Sequence, residues 1–189
     1  ELSRDIVKKY INAKYREEII FTKGATESIN LVAQTYGEKY INEGDEILIT
    51  ELEHHSNYVP WHFLRTKKKA VIKFAPVNKN GEVEIDEIKK LITKKTKIIA
   101  LTHISNVTGV ILPIKKIVDL AKEKKIPVLV DGTQGAPHLQ IDMQELGCDF
   151  YAISCHKMYG PNGLGILYAK KKWVDELPPY QGGGGMIDE

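Results

Sequence analysis

Short apolar runs alternate along the chain with segments of helical periodicity. Helices are predicted over 29–41, over 84–92, which opens with acidic residues, and over 114–124, which follows Pro113. In the first of these, the apolar side chains at helical spacing are Ile29, Val32, Ala33, Tyr36 and Tyr40. The runs that predict strands are 46–50, 70–77, 97–105, 128–131, 149–154 and 163–171.

These strands are nearly continuous in apolar residues, which is typical of a parallel sheet that is buried on both faces. The last strand, 163–171, follows its predecessor so closely that it is predicted to run antiparallel to it. The expected fold class is therefore α/β, with a mostly parallel central sheet, one antiparallel strand and helices on both faces.

Polar residues follow four of the predicted strands. Ligands of open α/β sheets bind beyond the carboxyl ends of the strands, so these residues are expected to converge on one edge. They are Glu53 to Asn57 after the first strand, Asn106 after the third, Asp131 and Gln134 after the fourth, and His156 and Lys157 after the fifth. This pattern indicates a polar active site.

Composition narrows the function classes. The 189 residues are 42% hydrophobic and 28% charged, which predicts one globular domain, or one domain plus a fragment. The formal charge of +2 is too small to indicate a nucleic-acid partner, and no apolar run approaches the roughly 18 residues of a membrane span. The first residues, "ELSRDIVKKY", contain no apolar signal region, so export is not expected. Cys148 and Cys155 fit neither a disulfide framework nor a zinc-ligand spacing, so a cytoplasmic protein without a metal site is expected.

A lysine at one strand end and a carboxylate at another suit the chemistry of pyridoxal phosphate (PLP). The amine of Lys157 would bond to the cofactor aldehyde and later move protons, while Asp131 is the candidate for keeping the pyridine nitrogen protonated. The phosphate needs a helix N-terminus and hydroxyl groups, which "GATES" at 24–28 supplies through Gly24 and Thr26. His54 is the candidate for stacking on the ring and transferring protons.

Each residue also has an ordinary structural interpretation. Asp131 can cap a turn, Thr26 can cap a helix, and a single lysine such as Lys157 is usually on the surface. Their joint placement at successive strand ends favours the functional interpretation. A non-catalytic binding or scaffold domain is a hypothesis of a different class, and it leaves the set of Asp131, Gln134 and Lys157 unexplained.

The segment "VDGTQGAPHLQIDMQELGCDFYAISCHKMYGPNGLGILYAKKK" at 130–172 resembles the class V aminotransferase family of PLP enzymes. Within that family, "EHHSNYVPW" at 53–61, "HISNVTGV" at 103–110 and "PYQGGGGMI" at 179–187 look most like the SUF-type (group II) cysteine desulfurases. "FTKGATES" at 21–28 is similar to the group I enzymes as well. The resemblance implies a fold type I PLP-binding large domain over 1–189, a C-terminal small domain that is absent here, and a homodimer.

The resemblance also implies a role for each site residue. Lys157 would carry the covalent bond to PLP, His54 would stack on its ring, and Asp131 would pair with its ring nitrogen. Gln134 would hydrogen-bond the phenolic oxygen, and Asn106 would help place the substrate carboxylate. The phosphate would be held by the side chains of Thr26, Ser154 and His156 and by the Gly24–Ala25 backbone.

The implied activity releases sulfur from L-cysteine as an enzyme persulfide and leaves L-alanine. The sulfur would pass to an acceptor protein of the iron–sulfur cluster assembly system. In the family, the sulfur-accepting cysteine and a substrate-binding arginine belong to a stretch after "YQGGGGMI", so this chain alone is expected not to complete the reaction. Cys155, between Ser154 and His156, is interpreted as a small buried residue. The nearest alternative is a selenocysteine lyase or an aminotransferase of the same family.

Overall fold

The structure is a computed structural model that describes residues 2–183. The strands are β1 (Ile19–Thr22), β2 (Glu46–Thr50), β3 (Val71–Ala75), β4 (Thr96–Thr102), β5 (Val128–Asp131), β6 (Phe150–Ser154) and β7 (Gly165–Ala169). The α-helices are α1 (Leu2–Tyr10), α2 (Ala25–Tyr40), α3 (Val59–Lys68), α4 (Ile85–Leu91), α5 (Ile114–Glu123), α6 (Gly135–His138), α7 (Met143–Leu146) and α8 (Lys171–Glu176). Short 3-10 turns cover Arg16–Glu18, His55–Asn57 and Cys155–Met158.

All seven strands belong to one sheet in the order β1-β7-β6-β5-β4-β2-β3. β7 runs antiparallel to both of its neighbours, β1 and β6, and the pairs from β6 to β3 are parallel. The predicted α/β fold with a mostly parallel sheet and one antiparallel strand is therefore confirmed.

Helices cover both faces of the sheet because the side chains of its strands alternate between two apolar layers. In β5, Val128 and Val130 belong to the layer that packs against α4, α5 and α7. Leu129 belongs to the opposite layer, which contains α2, α3 and α8. Every residue of β5 is buried, which explains why its sequence reads as a continuous apolar run.

Helix α2 begins at Ala25, four residues before the predicted start at Ile29. The apolar pattern missed this first turn because the turn is mostly polar and lacks an apolar repeat. In that turn, the Glu27 carboxylate accepts a hydrogen bond from the backbone N–H of Lys23, which places a negative charge at the helix N-terminus. The consequence for the site is that Thr26 lies within the first turn of the helix.

The sequence pattern did not predict α1, β1, α3, α8 or the short helices α6 and α7. α1 buries none of its residues, and β1 buries only Ile19 of its four residues, so neither gives a strong periodic signal. α3 buries Pro60, Trp61 and Leu64 on one face, and Pro60 near its start is compatible with a helix N-terminus. Among the helices of residues 2–183, none is long and apolar enough to cross a bilayer.

Candidate active site

A polar cavity lies at the carboxyl edge of the sheet, beyond the ends of β2, β4, β5 and β6. Its empty volume, including the open mouth, is about 610 Å³, within the usual range for small-molecule sites. The residues that line it are Ala25, Thr26, His54, Ser56, Thr102, Ile104, Asn106, Asp131, Thr133, Gln134, Ser154, His156 and Lys157. The polar groups that follow four different strands therefore converge, as the strand pattern predicted.

The N-terminus of α2 forms one wall of the cavity. Its position is fixed by Ser154 at the end of β6, whose hydroxyl oxygen accepts a hydrogen bond from the Ala25 backbone N–H at 2.8 Å. Thr22 donates to the Gly24 carbonyl at 3.1 Å, which holds the turn before the helix. The 16-residue helix directs its positive dipole end into this region, which favours an anionic group there.

Close packing of two glycines brings this turn against β7. A methyl carbon on Gly165, the first residue of β7, would lie 2.4 Å from Cα of Gly24. Only a glycine at 165 permits that approach. Gly24 itself lines a cleft that adjoins the cavity and shares Thr26, Ser154 and His156 with it.

The segment after β2 presents His54 at the cavity. His54 Nδ1 accepts a hydrogen bond from the Ser56 backbone N–H at 3.2 Å and lies 2.8 Å from the Ser56 hydroxyl oxygen. An acceptor role for Nδ1 leaves the proton of the neutral ring on Nε2. The imidazole is exposed, so its faces are open to a ligand in the cavity.

The turn after β4 carries Asn106. The Ser105 hydroxyl accepts hydrogen bonds from the backbone N–H groups of Val107 and Thr108, at 3.3 and 3.2 Å, and so shapes the turn. Asn106 is exposed and lines the cavity, and the last residue of the strand, Thr102, is buried and lines the same cavity.

Asp131 is the last residue of β5 and is 4% exposed. Its Oδ1 accepts a hydrogen bond from the Thr133 backbone N–H at 3.0 Å, which forms an Asx turn that leads into α6. Gln134 precedes the first residue of α6 and lines the same cavity. The hydroxyl oxygen of Thr133 is buried without a hydrogen-bond partner among the described residues.

A buried polar pair, His103 and Tyr151, packs against the backbone that follows the Asp131–Gln134 turn. His103 Nδ1 lies 2.8 Å from the Tyr151 hydroxyl, and burial lowers the pKa of His103 to about 4, so its ring is neutral at neutral pH. A methyl carbon on Gly135 would lie 2.7 Å from both of these polar atoms. The backbone of the turn thus rests directly on the pair.

Lys157 lies in the 3-10 turn that follows β6 and lines the same cavity as the buried Asp131. Its ammonium group forms no hydrogen bond or ion pair with the rest of residues 2–183, and the side chain is exposed. Cys155 in the same turn is buried, and burial raises the pKa of its thiol. Burial likewise raises the pKa of Cys148 to about 12, so neither thiol is poised to ionise.

Nine of the ten predicted site residues line the cavity, and the tenth, Gly24, lines the adjoining cleft. Of the segment 179–187 quoted for the resemblance, residues 184–187 lie outside the described residues. Within residues 2–183 there is no group of three or more His, Cys, Asp or Glu side chains that suits a metal ion.

Sequence reasoning assigned no role to four residues that line the cavity, namely Ser56, Thr102, Ile104 and Thr133. It also assigned none to Glu53, which lies behind the cavity and anchors the segment that carries His54. The available signal was positional, since Glu53 directly precedes His54 and Thr102 ends an apolar strand.

Known proteins resemble the chain throughout its length. The family described as aminotransferase class-V matches residues 1–189. A protein of Halalkalibacterium halodurans named "Probable cysteine desulfurase" is 48% identical over 188 residues, which are 100% of this chain and 46% of that protein. A protein of Staphylococcus epidermidis with the same name is 51% identical over the same shares.

Solved structures agree with this similarity. The cysteine desulfurase CsdA from Escherichia coli superposes with a TM-score of 0.95 at 40% identity, over 99% of this chain and 47% of that chain. A cysteine desulfurase from Thermococcus onnurineus gives a TM-score of 0.93 at 38% identity, over 100% of this chain and 46% of that chain. The chain therefore spans about half the length of the relatives it matches. Its fold, its strand-end cavity and its full-length match show that it belongs to the class V aminotransferase family.

Proposed function

We propose that residues 1–189 form the PLP-binding large domain of a cysteine desulfurase. The observation that carries the proposal is the single cavity in which Lys157 and Asp131 lie with the phosphate-type groups at the N-terminus of α2. The names of the similar proteins support the choice of activity.

The donor set fits PLP group by group. Thr26, Ser154 and His156 supply polar groups for the phosphate beside a helix N-terminus, and Gly24 lies in the adjoining cleft. The Ala25 N–H donates to Ser154, which leaves the Ser154 hydroxyl hydrogen for an anion. The Thr133 hydroxyl, which has no hydrogen-bond partner among the described residues, lines the same cavity as Asp131 and Gln134.

The residues of this chain would divide the chemistry as follows. PLP, when bound, supplies an electron-accepting ring that stabilises negative charge at the substrate carbon. The Nζ of Lys157 would hold the cofactor and then take a proton from the substrate, the Asp131 carboxylate would keep a proton on the ring nitrogen, and the His54 imidazole would cover the ring. Gln134 would bond the phenolic oxygen, and Asn106 would help to place the substrate carboxylate.

The overall reaction we propose converts L-cysteine and a protein thiol into L-alanine and a protein persulfide, with the sulfur passing to an acceptor protein for iron–sulfur cluster assembly. Cys148 and Cys155 are both buried, and burial raises the pKa of both thiols. We therefore assign the attacking thiol to a part of the protein other than residues 1–189. The narrower SUF-type (group II) assignment, a homodimer and a cytoplasmic location belong to the same proposal.

The test uses the full-length protein that contains this chain. It should be yellow, should lose that colour on borohydride reduction with Lys157 modified in the mass spectrum, and should release alanine from L-cysteine. Lys157→Ala should lower the rate of alanine release by at least about 10³-fold, because it removes both the covalent anchor and the proton carrier. Lys89→Ala, an exposed lysine on α4, is the matched control and should change nothing.

The remaining hypotheses give different results in the same assay. Faster turnover of selenocysteine than of cysteine would favour a selenocysteine lyase, and consumption of keto acids would favour an aminotransferase. A protein that stays colourless with added PLP would favour a non-catalytic scaffold domain and would contradict the proposal.

A further inference from the structure

Behind the cavity, the carboxylate of Glu53 joins three separate segments of the chain. Its Oε1 accepts hydrogen bonds from the Thr50 hydroxyl at 2.6 Å and from the Thr102 backbone N–H at 3.0 Å. Its Oε2 accepts from the Asn57 side-chain amide at 2.6 Å. The end of β2, the end of β4 and the 3-10 turn after His54 therefore meet at one side chain.

These bonds fix the backbone on both sides of His54. Asn57 is fully buried, donates its backbone N–H to the His54 carbonyl at 2.8 Å, and accepts from the Trp61 indole N–H at 3.2 Å. His54 is thus held between Glu53 on one side and Asn57 on the other. Among residues 2–183 its own ring hydrogen-bonds only to Ser56 within the turn, so the course of this backbone decides where the imidazole lies.

The same carboxylate connects the His54 segment to the Asp131 side of the cavity. Thr102, which donates to Glu53, pairs with Asp131 in the register of β4 and β5, and the next N–H, that of His103, donates to the Asp131 carbonyl at 2.9 Å. Glu53 is not among the described residues that line the cavity. It can therefore act on a ligand only through the residues it holds.

Keeping a carboxylate in this place is unfavourable for the fold. Burial, with a smaller contribution from the nearby charge of Asp131, raises the pKa of Glu53 to about 7, although the three hydrogen bonds that it accepts act to lower it. Three donors converge on Glu53, and a neutral amide would satisfy them less well because its NH₂ group cannot accept.

We propose that Glu53 is a positioning residue that fixes the His54 imidazole over the cavity and sets its separation from Asp131. This role rests on the proposed function, since the ligand that His54 and Asp131 would share is PLP. Glu53 itself touches neither cofactor nor substrate.

The experiment is a double-mutant cycle on PLP binding by the full-length protein. Apo-protein carrying Glu53→Gln, His54→Ala or both is titrated with PLP, and the dissociation constant and the wavelength of the absorption band are recorded. We expect each single variant to weaken PLP about tenfold, and the double variant to be at most about twofold weaker than His54→Ala alone. The band of Glu53→Gln should shift in the same direction as that of His54→Ala.

Controls separate positioning from general stability. Glu51→Gln changes an exposed carboxylate of the same segment that accepts one backbone N–H, and it should alter affinity by less than about twofold. If Glu53→Gln does not fold, Thr50→Val, which removes one of the three donors, replaces it in the same cycle.

The outcomes are distinct. Losses that multiply to about 100-fold in the double variant, or a Glu53→Gln band identical to that of the wild type, would overturn the positioning role alone. A wild-type protein that does not bind PLP would overturn the proposed function, and the role of Glu53 with it.

Discussion

At the scale of single residues, the site depends on groups whose environment their sequence neighbours do not reveal. Asp131, His54 and Lys157 are polar residues at strand ends, and the sequence pattern identifies them. Glu53 and His103 are also polar residues near strand ends, but their hydrogen bonds run to segments about 50 residues away, at Thr102 and Tyr151. Only folding brings these partners together.

Glu53 gives the fold a pH-dependent stability. The pKa of Glu53 is about 7 in the folded protein and near its ordinary value of 4.5 when unfolded, so between these values the native state binds more protons. The contribution of Glu53 to the free energy of unfolding therefore falls as pH rises from about 4.5 to about 7 and is level above that. Asp131 is the charged group that acts on Glu53 across the sheet.

Substituting Glu53→Gln removes this titration. Relative to the wild type, the variant should gain about 3 kcal/mol in free energy of unfolding between pH 4.5 and pH 8, whatever its absolute stability. Urea unfolding of both proteins at several pH values measures the difference. A difference that stays constant with pH would show that Glu53 has an ordinary pKa.

The His103–Tyr151 pair makes a second prediction at this scale. Tyr151→Phe removes the hydroxyl that partners His103 Nδ1 and leaves a buried nitrogen unpaired, so the free energy of unfolding should fall by about 1–3 kcal/mol. Tyr159→Phe, at a fully exposed tyrosine, should have no effect. Equal denaturation midpoints for the wild type and Tyr151→Phe would contradict the prediction.

At the scale of elements, the contact between the Gly24 turn and β7 fixes the N-terminus of α2 against the sheet. The run 163–171 predicted a strand, but not that Gly165, the first residue of β7, would meet Gly24. A side chain at 165 would overlap backbone atoms, which cannot turn away as a flexible side chain can.

Gly165→Ala should therefore separate β7 from the Gly24 turn. We expect a loss of about 1–3 kcal/mol in free energy of unfolding, together with weaker PLP binding, because Gly24 and Thr26, which we propose as part of the phosphate site, lie at that turn. Thermal melts and PLP titration of the full-length protein measure the two effects. Gly182→Ala, where an added methyl meets no atom within 4 Å, is the control and should match the wild type.

At the scale of the whole molecule, the sheet separates two apolar layers. Both cysteines lie in one of these layers, so their reactivity measures how often that layer opens. Cys148 is fully buried and Cys155 is 9% exposed, both in the layer that contains α4, α5 and α7. Burial raises the pKa of both thiols, which suppresses the thiolate that alkylating reagents attack.

Both thiols should therefore react with iodoacetamide only when the layer opens. We expect the alkylation of Cys148 to be slower by at least about 10³-fold in the native protein than in urea, as for a group exposed only by global unfolding. Mass spectrometry of peptides from timed reactions resolves the two sites. Rapid native alkylation of Cys155 would contradict its interpretation as an inert buried residue.

The sequence by itself determined the alternation of strands and helices, the single antiparallel strand and the strand ends where polar residues gather. Apolar periodicity and chain connectivity are local properties, and they carry that information. The sequence did not determine α1, β1 or the early start of α2, because these segments have no strong periodicity of buried apolar residues.

Only the tertiary structure decided how the site is supported. The bond from Ala25 to Ser154, the contact of Gly24 with Gly165 and the convergence of three segments on Glu53 join residues far apart in the chain. Such contacts depend on strand order and register, which arise when the whole sheet packs between its two apolar layers. The chemistry of the site is therefore local in sequence, whereas its geometry is a property of the complete sheet.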